Sequence, residues 1–143
     1  RVLQNWIRDL LGIQAATLTL LFESFAYRDG IPLDADWVLD ARMLPNPHYD
    51  PQLRPFSGRD RAVIEHLGRD QAVGRWLDDV RGMLARWLPE IVRENRSSVT
   101  VAIGCTGGRH RSVYLAERLA EHFGKEWSVL VRHRGLAREP LPE

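Results

Sequence analysis

The sequence predicts an α/β fold, a single domain in which a mostly parallel sheet is flanked by helices. Three observations support this prediction. Short apolar segments typical of strands alternate with longer segments whose apolar residues recur every three or four positions, as in a βαβ arrangement. A glycine-rich segment joins one predicted strand to a helix. Finally, 143 residues can bury the core of one domain without disulfides, which the single cysteine cannot form within the chain.

The predicted elements follow from these patterns. Strands are predicted at residues 17–25, 37–44, 99–103 and 127–132, where β-branched and apolar side chains cluster. Helices are predicted at residues 2–11, from a capping box at 57–60 through 67, at 73–91, and from about 108 to 123. Pro89 is a position at which the third of these helices can kink. Four prolines between residues 45 and 55 predict a rigid, extended loop.

Composition excludes several classes of protein. The net charge of +1 is too small for a polyelectrolyte, so binding of nucleic acid would require a local basic patch. No apolar run approaches the roughly 18 residues of a membrane span, and we predict neither a metal site nor a signal peptide. The single cysteine fits a reducing compartment, and we expect a cytoplasmic protein. Because the chain begins with Arg1 rather than Met, we expect it to be part of a longer protein.

The residues from Gly104 to Ser112 predict a phosphate-binding loop at a strand-to-helix junction. A helix that begins directly after a buried strand points unpaired backbone N–H groups, and the positive end of its dipole, towards a ligand. The glycines allow close approach and positive φ angles. Thr106 and Ser112 add hydroxyl groups, and Arg111 adds a guanidinium that matches phosphate oxygens. A plain glycine turn with surface charges would not explain this set of residues.

The same loop is also compatible with catalysis. Cys105 and Arg111 have the Cys-x5-Arg spacing of cysteine-dependent phosphatases, and Ser112 follows. In that class of enzyme a thiolate attacks phosphorus, the arginine stabilises the transferred group, and an aspartate acts as general acid. Asp40 and Asp50 are the candidates for that acid. The histidine that usually precedes the phosphatase cysteine is absent, because a glycine stands there.

Several blocks of the sequence together resemble one protein family. The block AIGCTGGRHRSV at 102–113 is preceded by FESF, GIP, DAD, LPNPH and LRP, at 22–25, 30–32, 34–36, 44–48 and 53–55. In this order they closely resemble the C-terminal domain of the RapZ family, bacterial RNase adapter and nucleotide-binding proteins. The resemblance implies a linker helix at 1–16, the domain itself at 17–134 and a flexible tail at 135–143.

The resemblance also implies a function. RapZ-family proteins bind ATP or GTP through a Walker A loop in an N-terminal domain, and because this chain has no such motif we expect no cofactor in it. Their C-terminal domain senses glucosamine-6-phosphate, binds small regulatory RNA for presentation to an RNase, and self-associates. Its fold is similar to a subdomain of phosphofructokinase. The expected partners are therefore an amino-sugar phosphate, a small RNA, an RNase and further copies of the chain, and no membrane.

By position in the family blocks, the resemblance assigns residues to two sites. The ligand-binding residues are Asp40, His48, Cys105, Thr106, Gly107, Gly108, His110, Arg111 and Ser112. The RNA-binding residues are Arg109, Arg132, His133, Arg134 and Arg138. Members known to bind RNA carry a lysine-rich tail, whereas the tail here lacks lysine, so the second group is either an RNA site or a solvated face.

Three functions follow as hypotheses. We favour a regulatory binding domain, not an enzyme, that senses an amino-sugar phosphate and binds small RNA. A cysteine-dependent phosphatase that uses Cys105 and Arg111 is the first alternative. A module that serves only oligomerisation is the second.

Overall fold

A computed structural model of the protein describes residues 18–136. They form four strands, β1 (Thr19–Ala26), β2 (Trp37–Asp40), β3 (Ser98–Cys105) and β4 (Ser128–His133), and three α-helices, α1 (Arg61–Gly68), α2 (Gln71–Val92) and α3 (Arg111–Phe123). The strands make one parallel sheet in the order β2-β3-β1-β4, which confirms the predicted α/β class. The helix predicted at 2–11 and the tail from residue 137 onward lie outside the described residues.

The two central strands are the most apolar. β1 and β3 pair along their whole length, so that Ala26 and Cys105 end side by side. On one face of the sheet, Leu20 and Phe22 of β1 and Val101 of β3 are fully buried in a single core cluster with residues of all three helices. The near-continuous apolar runs of these strands are typical of a parallel sheet whose centre is covered.

The helices pack on that face. The Asp70 carboxylate caps α2 by accepting the Val73 N–H at 3.1 Å. The helix then buries the residues that repeat every three or four positions, as predicted: Val73, Leu77, Val80, Leu84 and Leu88. Pro89 lies inside its last turns. None of the helices in the described part of the chain is both long enough and apolar enough to cross a bilayer.

The predicted capping box forms only in part. The Ser57 N–H donates to the Asp60 carboxylate at 2.7 Å, which is one of the two bonds of such a box. The Ser57 hydroxyl instead accepts the Arg59 N–H at 3.1 Å. The Asp60 N–H donates to the Ser57 carbonyl at 3.0 Å, so these residues make a separate turn and α1 begins only after Asp60.

β2 is shorter than predicted, because it ends at Asp40 and not at residue 44. The Ala41 N–H still donates to the Gly104 carbonyl at 2.8 Å, and the chain then turns away from β3. The Asp40 carboxylate closes this turn by accepting the Arg42 N–H at 2.8 Å. An aspartate that accepts from the backbone two residues later offers the chain an alternative to the sheet, which explains the early end.

The segment at 27–36 connects β1 to β2 across the opposite face of the sheet. At its start, the Tyr27 ring packs on Phe25, with the ring centroids 4.9 Å apart. At its end, the Asp36 carboxylate accepts the Thr100 N–H at 2.7 Å. Between these anchors the segment passes the carboxyl ends of β1 and β4, where it contributes Gly30 and Asp34 to the surroundings of the last strand.

Candidate functional site

The carboxyl ends of the strands bring most of the predicted site residues to one edge of the sheet. β2 ends at Asp40, β3 at Cys105 and β4 at His133. The loop at 106–110 follows β3 and leads directly into α3, which begins at Arg111. Ligands of open parallel sheets bind at this edge, where the N-terminus of a helix can face an anion.

Two glycines in this region leave no room for a side chain. Gly108 has a φ of +69°, and a Cβ atom there would lie 2.9 Å from both the backbone nitrogen and the Cβ of Ala26. A Cβ atom at Gly104 would overlap the rings of Phe25 and Tyr27. The loop therefore lies directly against the end of β1, and no histidine fits in front of the cysteine.

Arg111 is buried although it carries a charge, with only 3% of the residue exposed. Its Nη1 donates to the carbonyls of Arg42 and Leu44 at 2.8 and 2.9 Å, and its Nη2 donates to Thr106 Oγ1 at 3.4 Å. Its buried Nε has no hydrogen-bond partner, and within residues 18–136 none of its hydrogen bonds goes to a carboxylate. The guanidinium thus joins the turn at 42–44 to the loop. Its hydrogen bonds go to neutral oxygens, while the Asp40 carboxylate acts on its charge from a greater distance.

Two histidines lie on either side of the loop. His110 is 6% exposed, and its Nε2 donates to the Arg54 carbonyl at 3.2 Å. Burial lowers the pKa of His110, so that the ring is neutral at pH 7. His48 is half-buried in a 3₁₀ turn at 47–49, where its backbone N–H donates to Asn46 Oδ1 at 3.1 Å. Repulsion from Arg109 and from His48 also lowers the pKa of His110, which indicates that the two histidines lie near each other.

Cys105 and Ser112 are both buried at the base of the loop. The thiol lies 3.1 Å from Ser112 Oγ and accepts the Ser112 N–H at 3.4 Å. Cys105 is only 2% exposed. Asp50, one of the two candidate general acids, accepts the Gln52 N–H at 2.9 Å within its own turn. The two contacts between Cys105 and Ser112 join the end of β3 to the start of α3.

Asp40 is engaged by Arg42, the charged residue two positions further along the chain. Its carboxylate takes two hydrogen bonds from the Arg42 guanidinium, at 3.1 Å from Nε and 2.9 Å from Nη2. The bonds from Arg42 hold the pKa of Asp40 below its usual value, and the more distant Arg111 acts in the same direction. The Arg42 guanidinium in turn lies 3.8 Å above the Tyr27 ring. Asp40 therefore has a cationic partner before any ligand binds.

Two of the four arginines predicted to bind RNA, Arg132 and Arg134, are held by a buried acid. Glu23 of β1 is 0% exposed, and its Oε2 accepts hydrogen bonds from the Nε (2.7 Å) and the Nη2 of Arg132. Its Oε1 accepts from Arg134 Nε at 2.7 Å. Asp34 lies on the outer side of the same pair, 3.6 Å from Arg132 Nη2 and 3.5 Å from Arg134 Nη2. About half of each arginine side chain stays exposed, at 51% and 46%.

The remaining predicted RNA residues are distributed differently. His133 joins three elements, since its Nδ1 lies 2.6 Å from Ser24 Oγ of β1 and its Nε2 lies 2.6 Å from Glu117 of α3. Its side chain is only 8% exposed. Arg109 is half-buried, and its carbonyl accepts the Gly58 N–H at 2.8 Å. Arg138 lies outside the described residues.

A shallow cleft of about 360 Å³ opens beside the arginine pair. Its walls are Phe25, Ala26, Asp29 and Gly30 on one side and residues 132–134 on the other.

Glu23 is a functional candidate that the sequence analysis did not name. A single charge inside an apolar strand was a usable signal for it, because a buried glutamate needs a partner. No cluster of three or more potential metal ligands occurs among residues 18–136.

Comparison with known proteins agrees with this architecture. A family model described as the RapZ C-terminal domain matches residues 18–137. A nucleotide-binding protein of Aromatoleum aromaticum is 58% identical over 137 residues, which cover 95% of this chain and 47% of that protein. A nucleotide-binding protein of Chromobacterium violaceum is 54% identical, covering 96% of this chain and 49% of the relative. The chain spans about half the length of the curated relatives it matches, and it belongs to the RapZ family through the C-terminal domain of that family.

Proposed function

We propose that this domain is a regulatory sensor that binds an amino-sugar phosphate, glucosamine-6-phosphate, at the loop between β3 and α3. We further propose that it binds small regulatory RNA as part of an RNase adapter. The observation that carries the first proposal is Arg111, a buried guanidinium whose described partners are neutral oxygens. A phosphate group would supply a directly bonded anion, because the Asp40 carboxylate is held by Arg42 and acts on Arg111 only from a distance.

The phosphate would bind where three kinds of donor meet. The N-terminus of α3 offers backbone N–H groups and a partial positive charge. Thr106 is exposed, and its hydroxyl lies beside Arg111. Arg111 adds its guanidinium, which is held in place by the carbonyls of Arg42 and Leu44. The loop can thus hold a phosphate by position and charge without breaking a bond.

The sugar would lie between this loop and the segment at 42–56. His48 and His110 belong to the two sides. The single N–H of a neutral His110 donates to the Arg54 carbonyl, so the other ring nitrogen can only accept from a hydroxyl group. The amine of the sugar would compete with Arg42 for Asp40, whose lowered pKa keeps it charged. Because Arg42 is half-exposed and rests on Tyr27, it can move away without uncovering a buried charge.

Calorimetric titration with glucosamine-6-phosphate tests this proposal. We expect saturable heat, and weaker binding of glucose-6-phosphate, which lacks the amine, and of glucosamine, which lacks the phosphate. Thr106→Val should weaken binding of both phosphates, while Thr100→Val, in β3 but far from the loop at 106–110, should not. A folded parent protein that releases no heat at millimolar ligand would contradict the assignment.

The RNA proposal is supported by the family and by the half-exposed Arg132 and Arg134 at the end of β4 and directly after it. An electrophoretic shift with a small RNA at low and at physiological salt tests it, since contacts to the phosphate backbone weaken as salt rises. Binding that ignores salt would argue against such contacts. The relatives are named nucleotide-binding proteins. We propose that their nucleotide site belongs to the half that this chain does not cover, and that the chain self-associates as a homo-oligomer and meets an RNase.

A cysteine-dependent phosphatase is the second candidate, because Cys105, Arg111 and Ser112 do come together at one loop. The burial of Cys105 and the use of Arg111 Nη1 by two carbonyls favour binding over phosphoryl transfer. Hydrolysis of an aryl phosphate distinguishes the two. Activity that disappears in Cys105→Ser would establish the enzyme, and activity that is equal in parent and variant would eliminate nucleophilic catalysis.

A further inference from the structure

Arg132 of β4 and Arg134, which follows the strand, share one buried acid at the carboxyl edge of the sheet. Each oxygen of the Glu23 carboxylate serves one of them, with both Nε contacts at 2.7 Å, the length of a strong charge-assisted bond. Glu23 is fully buried, whereas about half of each arginine side chain faces solvent. The inner edges of the two guanidiniums are therefore fixed. The two arginines and Glu23 together carry one net positive charge, which faces solvent.

Asp34 lies on that outer side. Its two oxygens are 3.5 and 3.6 Å from the Nη2 atoms of Arg134 and Arg132, too long for strong hydrogen bonds. The side chain of Asp34 is 59% exposed, so solvent screens the attraction and the contact is weak. Glu23 thus binds both arginines strongly, whereas Asp34 interacts with them only weakly.

We infer that Asp34 acts as an internal substitute for a phosphate group, and that Arg132 and Arg134 bind a phosphate oxyanion in its place. A phosphate fits because its oxygens can bridge two guanidiniums at hydrogen-bonding distance, whereas the Asp34 carboxylate stays farther away. The segment that carries Asp34 is anchored at Tyr27 and Asp36, so the side chain can swing out while the chain keeps its course.

The charges near the pair explain why Asp34 matters. Besides Glu23 and Asp34, Asp29 lines the adjacent cleft, so three carboxylates surround two guanidiniums. The Arg-His-Arg sequence at the end of β4 is therefore not a cationic surface while Asp34 is in place. Where the phosphate belongs to RNA, the inference rests on the proposed RNA binding, and Asp34 then limits the affinity.

Fluorescence anisotropy with a labelled single-stranded oligouridine tests the inference on the whole chain. Asp34→Asn should bind the oligonucleotide about three- to fivefold more tightly than the parent, the effect of removing one weak ion pair. Asp34→Glu should bind like the parent. Asp79→Asn is the matched control, because Asp79 is an exposed acid on α2, away from β4, and the charge change is the same. A gain in Asp34→Asn no larger than in Asp79→Asn would overturn the inference while leaving RNA binding intact.

A second measurement separates RNA from a free phosphate. The Nε–H signals of Arg132 and Arg134 are followed by NMR as inorganic phosphate is added to parent and Asp34→Asn. If no variant binds oligouridine but phosphate shifts these signals at lower concentration in Asp34→Asn, the pair is a site for a small anion and the RNA proposal fails. If the signals of both proteins respond equally or not at all, and no variant binds RNA, both proposals fail.

Discussion

Arg111 and the Arg132–Arg134 pair lie at the same edge of the sheet, but their charges meet different partners. Arg111 is buried among carbonyl and hydroxyl oxygens, with no carboxylate among its described contacts. The Arg132–Arg134 pair is half-exposed and faces Glu23 and Asp34. A buried charge that is hydrogen-bonded to no carboxylate can take up an anion, whereas a paired charge mainly holds the fold together. If anion sites were ranked by side-chain exposure alone, the Arg132–Arg134 pair would come before Arg111.

The largest expected effect removes both partners of Glu23. Arg132→Gln combined with Arg134→Gln leaves the buried carboxylate uncompensated, and we expect the free energy of unfolding in urea to fall by about 3–5 kcal/mol. Adding Glu23→Gln should restore part of that loss. Arg61→Gln with Arg93→Gln, which removes two exposed ion pairs on the helices, should cost about 1 kcal/mol or less. Equal losses in both double variants would show that the β4 pair has no structural role.

The next effect concerns affinity. Arg111→Lys should weaken binding of glucosamine-6-phosphate by about tenfold or more, because an ammonium cannot hold two carbonyls and a phosphate in the planar pattern of a guanidinium. Arg132→Lys should leave that affinity unchanged. Titration calorimetry on both variants checks the contrast. A parent-like affinity in Arg111→Lys would mean that the buried guanidinium only joins the loop to the turn at 42–44.

The smallest effect depends on pH. Burial lowers the pKa of His110, so protonation is less favourable in the folded than in the unfolded protein. This contribution to stability is complete above the unfolded pKa of about 6.5 and is lost as the pH falls through that value towards the lower folded one. We expect urea unfolding to show a smaller loss of stability on acidification in His110→Asn than in the parent. If the pH profile of His110→Asn equals that of the parent, protonation of His110 beside Arg111 does not destabilise the fold.

The sequence was sufficient for the features that depend on neighbouring residues. Apolar runs located the strands, the repeat from Val73 to Ile91 predicted α2, and the glycines after β3 predicted a loop at the carboxyl edge. Each of these patterns reflects burial or backbone freedom within a few positions. The class of fold followed from their alternation.

The counter-ions could not be predicted, because they depend on strand order and register. Glu23 and Arg132 are opposite each other only because β1 pairs with β4, far along the chain. Whether Arg134 is a binding residue or a fold contact is decided by that pairing, and the local sequence Arg-His-Arg is the same in either case. The early end of β2 was missed for a related reason, since one aspartate side chain competed successfully with the sheet.

The neighbouring residues His110 and Arg111 have a joint consequence for the cost of ligand binding. His110 holds the Arg54 carbonyl and Arg111 holds those of Arg42 and Leu44, so two successive residues fix both ends of the segment that contains His48. Four prolines restrict the same segment from within. Most of its conformational entropy is therefore lost when the protein folds, and a ligand that enters between loop and segment meets a wall that is already ordered.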